Sequence, residues 1–499
     1  MIKAIRIRLF LFGLFIDAAG ITEISCRVCP PGTQNIHIIK EINIMENQLE
    51  KKYGLITAIC VVVGIVVGSG VFFKAEKILV CTDGRTTLGI LAWLIGGIIM
   101  VSCAYVFGVL ASHHEKCNGI VDYAEEMCGE KYGYIVGWFM ATIYYPTLTS
   151  VLAWVTARYF SVLVGWDIVG PQCMAMAGFL LILAYVSNSL SPIIAGKVQV
   201  ATTVIKFIPL LLMAIVGTIF GLHSGMTFEN FSYVAQDAGP AGPALFTAVC
   251  ATSFAYEGWI IATSINSEIK DSKKNLPRAL FFGSLIVVFI YIVYYMGLAG
   301  TVDNETMMAG GEEGAKIAFT TLFSRIGGTG VFVLIVVSCY GVLNGLMMAN
   351  VRGFYSLAIR GKGYNPKMFC QVDPVTNMPS NASIMGLLIA GWWLLYFYGA
   401  NLTAPWFGPF CFDTSELPII TIYAMYIPLF LVLIKKIKNY NITPIIPVIA
   451  ILGSLFMVIA AIFAHRMAVV FYLIVFAAVI IVGLPRMNAV PIDKLKTGK

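Results

Sequence analysis

From residue 54 to residue 484 the chain alternates between apolar runs of about 20 residues and short polar stretches rich in glycine, proline or charge. A helix of that length crosses a hydrocarbon layer roughly 30 Å thick. The pattern therefore predicts an all-α polytopic membrane protein with twelve transmembrane helices. The first spans lie at about 54–80, 87–112, from 134, 174–190 and 198–222, and the sixth begins near 240. The eighth lies at about 330–357 and the tenth at about 418–434. Between spans two and three, Asp122, Glu125, Glu126 and Glu130 stand among aromatic residues and predict a short amphipathic helix. Pro277 is suited to the start of span seven.

Two of the apolar runs are interrupted. In the sixth, the stretch 247–268 centres on Phe254-Ala255-Tyr256-Glu257-Gly258-Trp259. A carboxylate at bilayer depth costs roughly 2.5 to 3.5 kcal/mol on insertion scales, so Glu257 should face protein or water. Gly258 weakens the helix where an open backbone could serve a ligand. The segment reads as a broken helix lining a solute site, or else as a glycine-assisted helix contact with a protonated glutamate. In the first run, Gly68 and Gly70 bracket Ser69. A half-helix begun there would aim its partial positive charge at an anion such as a carboxylate, while a small-residue packing face through Gly64 and Gly68 is the alternative. Interruptions at matching places in two halves point to inverted repeats around a midplane site. The repeats would be spans one to five (about 54–222) and six to ten (about 240–436), with two spans added (about 443–485) and a cytoplasmic tail, 486–499.

Lys206 lies nine residues beyond the loop residue Lys197, too deep to snorkel easily. It could bond the unwound carbonyls of span one in place of a sodium ion, exchange a proton, or stabilise packing. Arg158 either snorkels or pairs with a carboxylate. Ser338, Gly341, Asn344 and Gly345 share one helical face of span eight, as a pathway lining or as a packing stripe.

Composition agrees with the class: 59% of residues are hydrophobic, 12% are charged and the mean hydropathy is +0.85. The net charge of +7 does not mark a nucleic-acid surface, because the basic residues fall on alternate loops. Twenty belong to one set and six, Lys74, Lys77, Arg85, Lys316, Arg325 and Arg466, to the other. The positive-inside rule then puts both termini in the cytoplasm, and the plasma membrane is the expected location. Twelve cysteines are scattered without a disulfide framework, and the lone Cys26/Cys29 pair reads as coincidence. His113-His114-Glu115 is followed by Asn118, not by the second histidine of a zinc motif, and no GxSxG occurs. No metal, cofactor or enzyme chemistry is expected; a membrane sensor of amino acids is the competing class. Residues 1–44 carry Lys3, Arg6 and Arg8 before an apolar run too short to span, and translation is expected to begin at Met45.

Four segments together carry a resemblance: Gly68 to Phe72, Lys206 with the preceding Val198-Gln199, Phe254 to Trp259, and Lys273-Lys274-Asn275-Leu276-Pro277-Arg278. They resemble the amino acid, polyamine and organocation superfamily, and within it bacterial relatives of the L-type amino acid transporters. Ser338 to Gly363 is similar to that family's eighth span and following loop. The resemblance covers about 53–484 and implies the five-plus-five inverted-repeat, leucine-transporter-like fold with two C-terminal helices. It further implies that amides around Ser69 and Gly70 hold a substrate carboxylate and that carbonyls of Phe254 and its neighbours, such as Ala255, receive the ammonium. Tyr256 or Trp259 would gate or shape the site, and Lys206 would stand where sodium-coupled relatives hold a cation. The implied cycle is sodium-independent alternating access, often as exchange of one amino acid for another. The loop 165–172 is short, with Cys173 at its edge, so no heavy-chain subunit is expected. Glu257 stands where many relatives have a small residue. Small neutral L-amino acids are the expected substrates, with a cationic substrate matched to Glu257, or proton coupling, as alternatives.

Overall fold

Among the described residues the chain is helical, with no β-strand. The structure, a computed structural model, describes residues 54–488 apart from 114–118, 191, 262, 264–268, 374–375, 377, 403 and 441. The expectations for residues 1–44, Cys26 and Cys29, His114 and Glu115, and most of the tail lie outside the described residues. Eleven helices are long and apolar enough to span, and a bent pair, Leu55–Val66 and Gly70–Cys81, inclined at 55°, makes twelve. Span one is that pair. The others are Thr86–His113, Glu130–Val164, Pro171–Leu190, Ala195–Ser224, Ala241–Ile261, Ser272–Ala299, a long segment Glu312–Ala358, Ser380–Ala400, Leu417–Lys435, Ile445–His465 and Met467–Arg486.

The most extensive pairings are span two along span seven and span three along span eight. Each of these helices thus lies beside the one five places later in the chain, as two copies of a five-span unit would arrange them. Large apolar side chains point outward, among them Phe289, Leu388 and Trp392, each more than 60% exposed. Such a surface suits lipid, and association between the helices then rests on close packing and on interhelical hydrogen bonds. Trp93 of span two, Tyr256 of span six and Tyr291 and Tyr295 of span seven form one aromatic cluster at the centre.

Two local expectations change, and one kink is new. Pro277 does not begin span seven. The helix starts at Ser272, where Asp271 (φ 47°) turns the chain and its carbonyl accepts from the amides of Lys274 and Asn275. The segment containing span eight is kinked at Phe323 and Ser324, both non-helical, so Glu312 to Leu322 forms a separate end helix. Lys74 and Lys77 are not loop charges. They lie in the second half of span one, where Lys74 is fully buried against Glu416 at 2.6 Å, while Lys77 bonds Glu416 (2.6 Å) and Asp413 (2.9 Å).

Opposite ends of the bundle are tied differently. Beside the start of span two, Asn304 donates to Gly84 O (2.8 Å) and Thr86 Oγ1 (2.9 Å), and Arg158 pairs with Glu312 at 2.8 Å, the second of its two expected fates. Beyond the end of span two, the predicted amphipathic helix is present as Ile120–Cys128. Arg360, just after span eight, reaches its Asp122 at 2.5 Å, and Lys362 meets Glu130 at 3.0 Å.

Candidate functional site

The interruption in span one is the consequence of three residues, Val67 to Ser69, that leave the helix. In a continuous helix the Gly68 amide would bond Gly64 O; here it turns to the hydroxyl of Tyr291 at 3.4 Å. The orphaned Gly64 carbonyl is taken by Lys206, whose Nζ donates to it at 2.5 Å. Lys206 is buried, so its amine has been drawn from span five to the break in span one. At the far side of the break a new helix begins at Gly70, and its first-turn amides have no helical carbonyl to bond.

Span six breaks in the same manner. Its helix ends at Ala255, Tyr256 to Gly258 form a turn, and a short tight turn of helix follows over Trp259 to Ile261. Gly258 has φ 110°, a conformation L side chains rarely adopt, so glycine is required there. The carbonyls at the end of the first half lose their helical partners in turn.

The two breaks meet. A Cβ on Gly70 would lie 2.5 Å from Ala255 Cα and 3.1 Å from Phe254 O, so only a glycine lets the backbones touch. Tyr291 joins them chemically: its hydroxyl lies within hydrogen-bonding distance of Val66 O (3.1 Å) and of Ala255 O (3.2 Å) while accepting from the Gly68 amide. The bent pair therefore carries unwound backbone and a helix N-terminus at one point, beside the C-terminus of another half-helix. Such a junction can offer amides to an anion and carbonyls to a cation a few ångströms apart.

Side chains of the span-six motif divide by direction. Tyr256 is anchored, its hydroxyl donating to Trp93 O at 2.9 Å and its ring stacked on Tyr291. Trp259 is fully buried against Phe107 and Tyr426. Phe254 lies edge-on to Phe73, with Lys74 Nζ over its ring. Glu257 accepts a hydrogen bond from Tyr144 through Oε1, and Oε2 has no side-chain partner among the described residues. Tyr144 closes a π-helical turn, Met140–Tyr144, which shifts the register of span three at this depth. Of the span-eight stripe, Gly341 and Gly345 abut Thr202 and Gln199 of span five. Asn344 is fully buried, accepting from Asn188 (2.9 Å) and donating to Ala195 O (3.1 Å). These are the contacts of close helix packing. The hydroxyls of Ser253 and Ser338 are buried without a partner among the described residues.

Residues 53–484 match the profile of the amino acid permease family over most of the chain. The chain belongs to that family. The permease is a membrane transporter of amino acids and not an enzyme, and its recognition as a member of the superfamily of such carriers holds. It is 30% identical over 421 residues to the serine/threonine exchanger SteT of Bacillus subtilis, covering 82% of this chain and 91% of that protein. It is 27% identical over 330 residues to the large neutral amino acids transporter small subunit 2 of Mus musculus, covering 63% and 59% respectively. The Asc-type amino acid transporter 1 of Mus musculus is 26% identical over 325 residues, again 63% and 59%. Sequence reasoning brought Gly68, Ser69, Gly70, Lys206 and the span-six motif to one place in the permease. It missed Tyr291 and Tyr144, whose only local signal is a tyrosine inside an apolar run.

Proposed function

We propose that the permease exchanges small neutral L-amino acids across the plasma membrane by sodium-independent alternating access, with the crossed breaks of spans one and six as the substrate site. The observation that carries this reading is the junction of Gly70 with Ala255, bridged by Tyr291, with Lys206 on Gly64 O. Amides opening the second half of span one, from Ser69 and Gly70 onward, would hold the substrate carboxylate. Carbonyls of Phe254 and Ala255, which end the first half of span six, would take the ammonium. Gly68 and Gly258 let the two backbones open, Tyr256 and Trp259 form the walls, and the free hydroxyls of Ser253 and Ser338 supply polar contacts. Lys206 supplies a fixed cation at the break, so no sodium ion is needed to hold the free carbonyl. The stacked rings of Tyr256 and Tyr291 beside the junction favour a small side chain, and the serine/threonine exchanger relative agrees with that size. Both termini would face the cytoplasm, residues 54–222 and 240–436 would form the two repeats, and no heavy-chain subunit would be needed.

One observation favours a second reading. Glu257 presents a buried carboxylate oxygen with no side-chain partner, able to receive a cationic side chain or to carry a proton.

Uptake of labelled alanine, serine, leucine and arginine into liposomes containing the purified protein separates these readings. Uptake of alanine or serine that requires unlabelled amino acid inside, without sodium, is expected. Accumulation into empty liposomes under an imposed proton gradient would replace exchange by symport. Preference for arginine that disappears in Glu257→Gln would replace the neutral substrate class.

A further inference from the structure

Away from the crossed breaks, a thiol, an imidazole and a carboxylate from three different spans converge. Cys250 lies one helical turn before Phe254 in span six, Glu416 caps the start of span ten, and His465 ends span eleven. Glu416 Oε2 is 3.1 Å from His465 Nε2 and 3.3 Å from Cys250 Sγ, and the sulfur and the imidazole nitrogen are 3.7 Å apart. An ion bonded to sulfur at about 2.3 Å and to nitrogen and oxygen at about 2.0–2.1 Å has donor–donor edges of roughly 3.3–3.6 Å if tetrahedral. The observed triangle is close to one face of such a tetrahedron. We propose that Cys250, Glu416 and His465 bind a divalent metal ion of the zinc and cadmium class.

The surroundings suit this use. The remaining carboxylate oxygen, Glu416 Oε1, is held by Lys74 and Lys77 at 2.6 Å each, which fixes the plane of the carboxylate and turns Oε2 toward the cysteine and histidine. Lys74 also bonds Ser415 Oγ (3.0 Å), and Lys77 bonds Asp413 (2.9 Å). Two ammonium groups thus face two carboxylates, and the thiol, as it ionises, meets one of the two charges of the ion. On binding, the Cys250 S–H bond breaks, a metal–sulfur bond forms and the proton passes to water. His465 gives its Nε2 lone pair, and nothing is oxidised or reduced. One thiolate, one imidazole and one carboxylate select zinc or cadmium over sodium, magnesium and calcium. Three protein ligands leave the fourth place to water. Cys250 and Glu416 are buried, while the His465 side chain is 12% exposed and gives the ion an entry.

The experiment measures binding, and so is independent of which amino acid is carried. Full-length protein in detergent is titrated with Zn²⁺ against a chromophoric chelator, and with Cd²⁺ while the thiolate-to-metal absorption is followed. One ion per chain is expected, with the absorption lost in Cys250→Ser. Zinc affinity should fall by about 100-fold or more in Cys250→Ser and in His465→Gln, beyond the range seen for outer-shell changes. His465→Gln, at a partly exposed helix end, keeps the test open if the cysteine variant does not fold. Equal affinity and absorption in the wild type and both variants would overturn the site and assign the metal to other cysteines.

Discussion

Replacing Tyr291 by phenylalanine removes one oxygen and leaves the ring. The ring's stack on Tyr256 (5.4 Å) and its edge contact with Trp93 (5.5 Å) survive, so packing is preserved. What disappears is the one side-chain group among the described residues that serves both breaks: an acceptor for the Gly68 amide at 3.4 Å and a donor for Val66 O at 3.1 Å or Ala255 O at 3.2 Å. A hydroxyl has one proton to donate, so at any moment one acceptor bond and one donor bond are lost. Leaving a buried polar group unsatisfied costs about 1–3 kcal/mol, and these long bonds belong near the lower end, at about 1–2 kcal/mol in all. If that energy holds the breaks in the arrangement that receives substrate, its loss raises the half-saturation concentration for exchange about 5- to 30-fold. Exchange is measured in liposomes over a range of external serine, alongside thermal unfolding in detergent. The reasoning is refuted if Tyr291→Phe leaves both the half-saturation concentration and the substrate-induced rise in melting temperature unchanged.

The other predictions concern positions around that hydroxyl. Lys206→Ala frees Gly64 O and removes the amine from the break, so exchange should fall more than about tenfold, with membrane insertion unchanged by surface labelling. An undiminished rate would deny Lys206 its role. Gly70→Val drives a branched side chain into the Ala255 backbone; overpacking costs about 1–3 kcal/mol, and exchange should be lost while the protein still folds, as judged by monodisperse elution. Arg360→Gln removes the guanidinium shared by Asp122 and Glu125, and should lower stability by about 1–3 kcal/mol in denaturant titration.

What the sequence revealed of the fold was what is written locally. Apolar runs mark spans, and Gly68, Gly70 and Gly258 interrupt two of them at matching places, so both breaks were legible. Lys206 was legible because a lysine at that depth needs a partner. What escaped was long-range. Lys74 and Lys77 looked like loop charges, because their partners Asp413 and Glu416 lie more than 330 positions away. Periodicity says nothing about contacts at that separation. The available clue was two lysines with a single acid, Glu76, between them near the end of an apolar span, which leaves a positive charge calling for acids elsewhere. Tyr291 escaped for a related reason: among many tyrosines in apolar runs, only the crossing of the chain shows which hydroxyl meets an opened backbone. The span-eight stripe suited a pathway and, almost as well, close packing, and only the folded chain shows that Asn344 bonds Asn188 and Ala195.

The ion pairs of the bundle differ in how far water reaches them. Lys74 and Glu416 are 0% and 2% exposed, whereas Glu125 is 33% and Glu130 is 63% exposed. Dissolved ions screen the exposed pairs over a Debye length of about 8 Å at physiological strength and barely reach the buried one. Ionic strength therefore sorts individual pairs: concentrated electrolyte weakens Lys362–Glu130 and Lys77–Asp413, each with a partly exposed member, and leaves Lys74–Glu416 almost untouched.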